Sequence, residues 1–467
     1  MSDVPYQGSS SWQLLPLALA MLLPSLGTSI ANVALPTFRM AFEASLGEVQ
    51  WVVLSYLLAV TILIVPMGRL GDQIGRRTLL LLGIATFTVA SAIAAYASSL
   101  GALIAARALQ GAGAATMMAL TMASVSDVVP KERTGRAIGL LGAVSAVGTA
   151  LGPTLGGALL SWASWPAVFA VMAAAGTMTF IIGLATLAQT AKHNRKKASF
   201  DVPGMLLLGI SIGAFALATT LGASGWSWLN AGIAAVSATG VAAFIYVERR
   251  TAHPLVRLEL LKDLKLNTSL LSLLLVSAIM MTTLVVGPFY LSEPLKLAPV
   301  QIGFVMSIGP AVAASVGLPA GRLVDTLGSA KVVVSGLMIV ASGAALMTFL
   351  PLVFGTAGYI AGLVFITAGY GLFQAANNAG VMMKASKEQR GLISGLLGLS
   401  RNLGLIIGAS AMGAVYAIGN HGLPLIHLAK GSASGLQVSF GVATALALFA
   451  LLLIERGNRR KSAATSY

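Results

Sequence analysis

The sequence predicts an all-α membrane protein with fourteen transmembrane helices, and two observations lead to that class. Of the 467 residues, 57% are hydrophobic and only 9% are charged, whereas a soluble domain carries about 25% charged residues. The apolar residues also fall into runs long enough to cross a hydrocarbon core of about 30 Å as helices. These runs cover approximately residues 12–35, 49–68, 78–97, 102–125, 135–160, 165–188, 203–223, 228–247, 267–291, 300–324, 330–350, 357–383, 391–417 and 436–455.

The lysines and arginines predict the orientation of these helices. An even number of spans puts both termini on one side, and taking that side as cytoplasmic leaves 24 of the 29 Lys and Arg in inner loops and 3 in outer loops. Cytoplasmic loops carry such an excess of positive charge. The net charge of +15 is therefore a topology signal and does not indicate a nucleic-acid partner. We predict a multi-pass monomer of the inner (plasma) membrane with both termini in the cytoplasm.

An internal repeat divides the chain. Residues 68–77 and 321–330 share five residues at an offset of 253, and Gly148-x3-Gly152 matches Gly404-x3-Gly408 at an offset of 256. Secondary transporters are commonly built from such repeats, with a site between them. The repeat predicts a six-helix half over 1–188, an inserted helix pair with connectors over 189–266, and a second six-helix half with a tail over 267–467.

Several motifs carry a family resemblance. GRLGDQIGRR (68–77), RALQGAG (107–113) and GTALGPTLGG (148–157) resemble motifs of the major facilitator superfamily, the last one typical of its exporters. The inserted pair, opened by FDVPG (200–204) and closed by 248–255, resembles the fourteen-helix drug/proton antiporter branch. The opening GTSIANVALP (27–36) is similar to methylenomycin-resistance-like members. One position departs, because Gly27 stands where the branch usually has Asp.

The resemblance implies a function. It implies a secondary active transporter that exports small amphipathic organic compounds, such as drugs or antibiotics, in exchange for protons by alternating access. An importer or metabolite permease of the same fold, and a membrane receptor or scaffold without flux, remain as alternatives. There is no phosphate-binding Walker loop, no Cys and only four His, so we expect no enzyme activity, no cofactor and no metal site.

The repeated loop is the predicted gate. A carboxylate at a helix end can cap a neighbouring helix N-terminus, where the macrodipole favours negative charge. Such a contact would hold one side closed and release it during the cycle. The alternative is a solvated loop whose arginines only set topology. The gate residues are Gly68, Asp72, Gly75, Arg76, Arg77 and Asp325, the last without a basic pair because Ser329 and Ala330 follow it.

A glycine-rich stretch in the fifth run is the predicted hinge. Glycines let helices approach closely, and a proline inside a helix removes a backbone hydrogen bond and bends it. By resemblance this stretch is the hinge and seal between the halves of an exporter, with static packing as the alternative. The hinge residues are Gly148, Gly152, Pro153, Gly156 and Gly157.

Three charged residues are candidates for energy coupling. Arg107 lies inside an apolar run, where a charge costs about 2.5–3.5 kcal/mol on insertion scales, and the resemblance implies coupling; snorkelling to the interface is the alternative. Arg401 is deeper in its run and could pair with carbonyls or face a cavity for an anionic group. No run holds an acid near its middle. Protons would therefore act through Glu293 or Asp72, unless the substrate brings its own titrating group.

Amides and adaptable apolar side chains are candidates for substrate binding. Buried amides need hydrogen-bond partners, which a water-filled cavity supplies, and Met and aromatic surfaces adapt to varied apolar ligands. Each could instead be a core or lipid-facing residue. The candidates are Asn32, Trp51, Tyr56, Gln110, Met117, Met118, Phe289, Tyr290, Gln374, Asn377 and Asn378.

Overall fold

A computed structural model describes residues 14–129, 134–187, 201–222, 227–251, 254–255, 258–383, 390–420 and 432–464. Within these ranges the regular structure is helical, without a β-strand. The helices are α1 (Leu14–Ala41), α2 (Leu46–Ile74), α3 (Arg76–Ala95), α4 (Leu100–Val128), α5 (Thr134–Trp162), α6 (Trp165–Thr186), α7 (Val202–Gly222), α8 (Trp228–Glu248), α9 (Leu264–Ser292), α10 (Pro299–Leu327), α11 (Ser329–Met382), α12 (Arg390–Ile407), α13 (Gly413–Asn420) and α14 (Ser432–Ala464).

In the described part of the chain, fourteen helical stretches can cross a membrane by their length and composition, as predicted. Thirteen helical stretches are long and apolar enough to cross a membrane, and the 54-residue α11 is one of them. Inside α11 the chain reverses at Gly355, whose φ of 53° suits glycine. The two arms of α11 pack together, since a Cβ on Gly358 would lie 2.2 Å from Leu350 O. A five-residue π-turn (Gly408–Met412) joins α12 and α13 into a single crossing.

Because the number of crossings is even, α1 begins and α14 ends at the same end of the bundle. We call the end where α1 begins and α14 ends the terminal face, and the end where α1 reaches Ala41 the opposite face. The short 3₁₀ turn Leu260–Lys262 precedes α9 at the terminal face.

Two six-helix halves, α1–α6 and α9–α14, repeat the same packing. A Cβ on Gly148 would lie 2.7 Å from Leu22 O of α1, and a Cβ on Gly404 would lie 2.2 Å from Leu274 O of α9. The matched glycines thus bring α5 against α1 and α12 against α9 at backbone distance. The hairpin α7–α8 lies outside both halves, where α7 packs against α2 and α13.

The repeated loop forms the same turn in each half. Gly75 between α2 and α3 has φ 101°, and Gly328 between α10 and α11 has φ 83°. These backbone angles are ones that L side chains rarely adopt. The glycine shared by the two copies of the sequence motif is therefore explained by a turn that both halves need.

Candidate functional site

The two halves meet where α5 crosses α10. A Cβ on Gly157 would lie 2.4 Å from Pro299 O, and a Cβ on Gly303 would lie 2.4 Å from Pro153 O. Backbone thus touches backbone across the halves. The Thr154 and Ser307 hydroxyls are hydrogen-bonded at 2.5 Å beside this crossing. Small residues permit such an approach without fixing it through interlocked side chains.

Further contacts between the halves lie near the opposite face. Arg39 at the end of α1 forms an ion pair with Glu293 at the end of α9, with side chains 41% and 36% exposed. Ser161 Oγ accepts a hydrogen bond from Val300 N at 3.0 Å. Gln50 of α2 is buried against Gly413 of α13. The Arg39–Glu293 ion pair and the Thr154–Ser307 and Ser161–Val300 hydrogen bonds thus all join the halves in this part of the bundle.

Toward the terminal face the same two helices are open. Gly142 on α5 and Gly317 and Gly321 on α10 are exposed, and a Cβ added to any of them would meet nothing within 4 Å. Gly68 on α2 and Gly398 on α12 have the same empty surroundings. The described halves are therefore joined at one end and separated at the other.

The five hinge candidates divide between two neighbours. Gly148 and Gly152 face α1 in their own half, where a Cβ on Gly152 would lie 1.9 Å from Ser29 Oγ. Gly156 faces Ile30 of the same helix. Gly157 and Pro153 contact α10 of the other half, as described above. Of the five candidates, these two contact the other half.

The buried arginine lies inside the first half. Arg107 is fully buried, its Nε donates to Val52 O at 2.9 Å, and a terminal nitrogen donates to the Gln110 amide oxygen. The guanidinium lies 4.3 Å from the Tyr56 ring centroid, a cation–π contact. Gln110 donates onward to Ser91 Oγ at 2.7 Å. One guanidinium nitrogen has no hydrogen-bond partner, and no described carboxylate contacts it. Arg107 does not snorkel.

The arginines of the gate motif bind within their own half. Arg76 donates to Ala123 O of α4 at 2.7 Å, and Arg77 donates to Leu184 O of α6 at 3.0 Å. Leu184 lies in the last turn of α6, where the final carbonyls lack intrahelical partners and a cation is favourable. These bonds tie the start of α3 to two neighbouring helices. Asp72 lies in α2, but its side chain lies outside the described part, and Asp325 is exposed.

Among the substrate-binding candidates, three make no side-chain hydrogen bond to another helix in the described part of the chain. They are Asn32, Gln374 and Asn378. Asn32 is fully buried and donates only to Thr28 O of its own helix, while its carbonyl oxygen has no partner. Gln374 and Asn378 are half-buried on the second arm of α11. Arg401, a coupling candidate, is exposed on α12 and not buried.

Other substrate-binding candidates are engaged in packing between helices. Trp51 donates to Thr220 of the inserted hairpin at 3.2 Å, and Tyr56 donates to Pro24 O at 2.8 Å. Phe289 and Tyr290 are buried within the second half. In this structure they pack against Tyr416 and Tyr359, respectively, while Met117 is fully buried, Met118 is half-buried, and Asn377 lines a cavity at the terminal face.

Some features were missed by the sequence reasoning. No local sequence pattern predicts the π-turn Gly408–Met412. The contact of Gln50 with Gly413 is likewise not predictable from the residues around either position. The pairing of Gly157 with Gly303 depends on which helices cross, and spacing along one chain does not contain that information. Gln50, a polar residue at the start of an apolar run, is one that composition could have indicated.

Comparison with known proteins identifies the family. The family model described as Major Facilitator Superfamily matches residues 17–203 and 175–409. The chain belongs to the major facilitator superfamily. As a superfamily member it is a transporter and a multi-pass membrane protein, and its relatives include the drug-efflux branch.

Two relatives and one solved structure illustrate this membership. The chain is 28% identical over 412 residues to the riboflavin transporter RibZ of Clostridioides difficile, which covers 86% of this chain and 88% of the relative. It is 29% identical over 408 residues to the multidrug efflux pump LfrA of Mycolicibacterium smegmatis, covering 86% and 79%. A bacterial homologue of the lysosomal transporter Spinster, solved inward-facing and unoccupied, superposes with a TM-score of 0.72 at 15% identity over 97% and 98% of the chains.

Proposed function

We propose that this superfamily member exports small amphipathic organic compounds from the cytoplasm by alternating access. The observation that carries the proposal is the one-sided closure: α5 and α10 touch at backbone distance near the opposite face and are open toward the terminal face. A transporter of two halves with its site between them has this form in one of its two states. The similarity to a multidrug efflux pump supports export.

The terminal face is, in this proposal, the cytoplasmic one. The excess of Lys and Arg in loops on that side supports it, because cytoplasmic loops carry positive charge. The structure is then open inward, in a protein of the inner membrane with both termini in the cytoplasm. The halves span 1–188 and 267–467 and rock about the α5–α10 crossing, with 189–266 as the inserted pair.

The proposed substrate site lies between the halves, midway through the bundle. Asn32 supports it because a buried carbonyl oxygen without a donor is a group that a ligand or water can satisfy. Arg401, Gln374 and Asn378 would contribute from the second half, since none is buried. Met118 would add an adaptable apolar surface.

Proton coupling is proposed to act through Glu293. Its charged form gains the ion pair with Arg39 when the opposite face is closed. Protonation from that side removes the pair and so favours opening toward the side with more protons. A proton-driven exporter needs this order of events, because the proton must enter from the outside. Gly27 supports the proposal by leaving α1 without the carboxylate that relatives usually place there.

A second candidate function is uptake of a heterocyclic metabolite. The similarity to a riboflavin transporter, which covers nearly the whole of both chains, favours it. An importer and an exporter can share this fold and the same one-sided closure, since fold does not fix function.

Two experiments test the proposal together. A strain lacking the gene is screened with a panel of toxic amphipathic compounds and of riboflavin-like metabolites, with and without the gene restored. Resistance to the toxic compounds with the gene supports export, whereas gene-dependent growth on the metabolites supports uptake. Counterflow of the labelled hit in proteoliposomes then separates transport from binding; no counterflow in well-folded protein would contradict both functions.

A further inference from the structure

A cavity of about 290 Å³ lies inside the second half at the terminal face. Its walls come from α9, both arms of α11, α12, α14 and the turn before α9, with no contribution from α1–α8 or α10. It is therefore separate from the contacts between the halves. Its apolar wall includes Leu266, Val333, Ala376 and Ile393. Its volume approaches the lower end of small-molecule sites, which begin at about 300 Å³.

One buried amide faces this cavity without a full set of partners. Asn377 is 3% exposed, and its amide nitrogen donates a long hydrogen bond of 3.5 Å to Ser269 O. Its carbonyl oxygen has no hydrogen-bond partner among the described residues. Asn377 lines the cavity, so this oxygen is an acceptor at the cavity wall. The cavity therefore presents an acceptor that a ligand carrying N–H or O–H groups would satisfy.

The charges at the mouth select the sign of that ligand. Glu259, Asp263 and Lys265 line the cavity, so two carboxylates against one ammonium give a net charge of −1. One oxygen of Asp263 already accepts from Lys265 N at 2.8 Å, which caps α9. Glu259 is exposed, and its backbone oxygen accepts a hydrogen bond from Lys262 N at 3.2 Å, which leaves its carboxylate without a described partner. A cationic donor would meet carboxylates first at this mouth and the amide oxygen further in.

We propose that this cavity binds a protonated amine attached to a compact apolar body. The ammonium would lie between Glu259 and the Asn377 carbonyl oxygen, and the apolar body would lie against Leu266 and Val333. This inference does not depend on what is transported, because the site belongs to one half only. A soluble amine and the ethanolamine headgroup of a lipid share this chemistry.

The test is direct binding to the purified full chain in nanodiscs of phosphatidylglycerol alone. The probes are phenethylamine, the neutral 2-phenylethanol and the anionic 3-phenylpropionate, measured by titration calorimetry. We expect phenethylamine to bind at least tenfold more tightly than either analogue. The same titration in nanodiscs that also contain phosphatidylethanolamine separates the two sources. Unchanged affinity assigns the site to soluble amines, and competition assigns it to the lipid headgroup; either result supports the shared chemistry.

Variants connect the binding to the cavity. Glu259→Gln and Asn377→Leu should each weaken phenethylamine about fivefold or more, and Glu259→Lys should shift preference toward 3-phenylpropionate. Glu455→Gln is the matched control, because it removes a charge next to Ile454 at the same face without lining the cavity. Equal binding of the amine and the alcohol, or equal losses in Glu259→Gln and Glu455→Gln, would overturn the proposal. The exposed Glu259 keeps the test valid if Asn377→Leu fails to fold.

Discussion

At the scale of single residues, the first half contains a buried cation without a described counter-charge. Arg107 is held by Val52 O, Gln110 and the Tyr56 ring, which are neutral partners. Gly27 lies beside this group, since its Cβ would be 3.6 Å from the Tyr56 hydroxyl and 3.4 Å from the Phe87 ring. These are ordinary contact distances, so a small side chain is tolerated at that position.

Gly27→Asp should therefore increase proton coupling. The introduced carboxylate would lie near the Tyr56 hydroxyl and the Arg107 guanidinium and would give α1 a proton-binding group that it lacks. Substrate flux in proteoliposomes, with and without an imposed pH gradient, should become several-fold more dependent on the gradient. Gly27→Asn is the control of equal size. Equal gradient dependence in the two variants would refute this reading.

The ion pair at the opposite face should bias the conformational equilibrium weakly. Exposed pairs contribute about 0.2–1 kcal/mol, which corresponds to about 1.4- to 5-fold in population. Glu293→Gln removes the pair, so it should increase the labelling of Gln50→Cys by an impermeant maleimide added at that face by about the same factor. The label is specific for this position because the chain has no native Cys.

The charge-swapped double variant Arg39→Glu with Glu293→Arg is the control for this pair. It should return labelling to the parent level, and high salt should abolish the difference between parent and Glu293→Gln. If labelling stays the same in Glu293→Gln, in the charge-swapped variant and at high salt, the pair has no part in closing the opposite face.

At the scale of helices, α5 uses its two glycine faces differently. Gly152 meets α1 within one half, whereas Gly157 meets α10 across the halves. The sequence predicted the stretch as a whole and could not divide it, because the division depends on how α5 is rotated between its two neighbours. The fourteen crossings and the repeat were predictable, since run length and residue spacing are local. The hydrogen bond from Trp51 to Thr220 was not predictable, because it depends on where the inserted hairpin packs.

Gly157→Ala should open the opposite face. The added Cβ would lie 2.4 Å from a backbone oxygen of α10, which cannot move without separating the helices. Maleimide labelling of Gln50→Cys should rise several-fold. Gly142→Ala, on the same helix with nothing within 4 Å, should leave labelling unchanged. Gly152→Ala should instead lower thermal stability by about 1–3 kcal/mol from overpacking. The same labelling in Gly157→Ala and Gly142→Ala would contradict the assignment.

The two turn glycines should behave alike. Gly75→Ala and Gly328→Ala place a side chain at φ 101° and 83°, and such backbone strain costs about 1–3 kcal/mol. Thermal unfolding in detergent should report lower stability for both. Gly321→Ala, in the helical part of the same motif with open space around it, should be neutral or more stable by about 0.5–1 kcal/mol. If Gly328→Ala is as stable as the parent, the positive φ of this turn does not explain why both copies of the motif have glycine there.

At the scale of the whole molecule, two similar halves are joined near the opposite face and open toward the terminal face. The joining contacts include backbone at Gly157 and Gly303, the Thr154–Ser307 and Ser161–Val300 hydrogen bonds, the Gln50–Gly413 contact and one exposed ion pair. Most of these groups are small, so we expect the closure to be weakly held and reversible. Interlocked large side chains would instead fix a single state. In the proposed transport cycle, rocking of the halves would open the opposite face and close the terminal face.

The most direct measurement is gradient-driven accumulation in proteoliposomes with the terminal face outward. The labelled compound is one to which the gene gives resistance, and the lumen is made acidic. We expect the parent and Gly142→Ala to accumulate the compound. An ionophore that collapses the pH gradient should abolish this accumulation. Gly157→Leu should fold but should not accumulate the compound. Accumulation that persists without the gradient, or that requires the reverse gradient, would contradict proton-driven export.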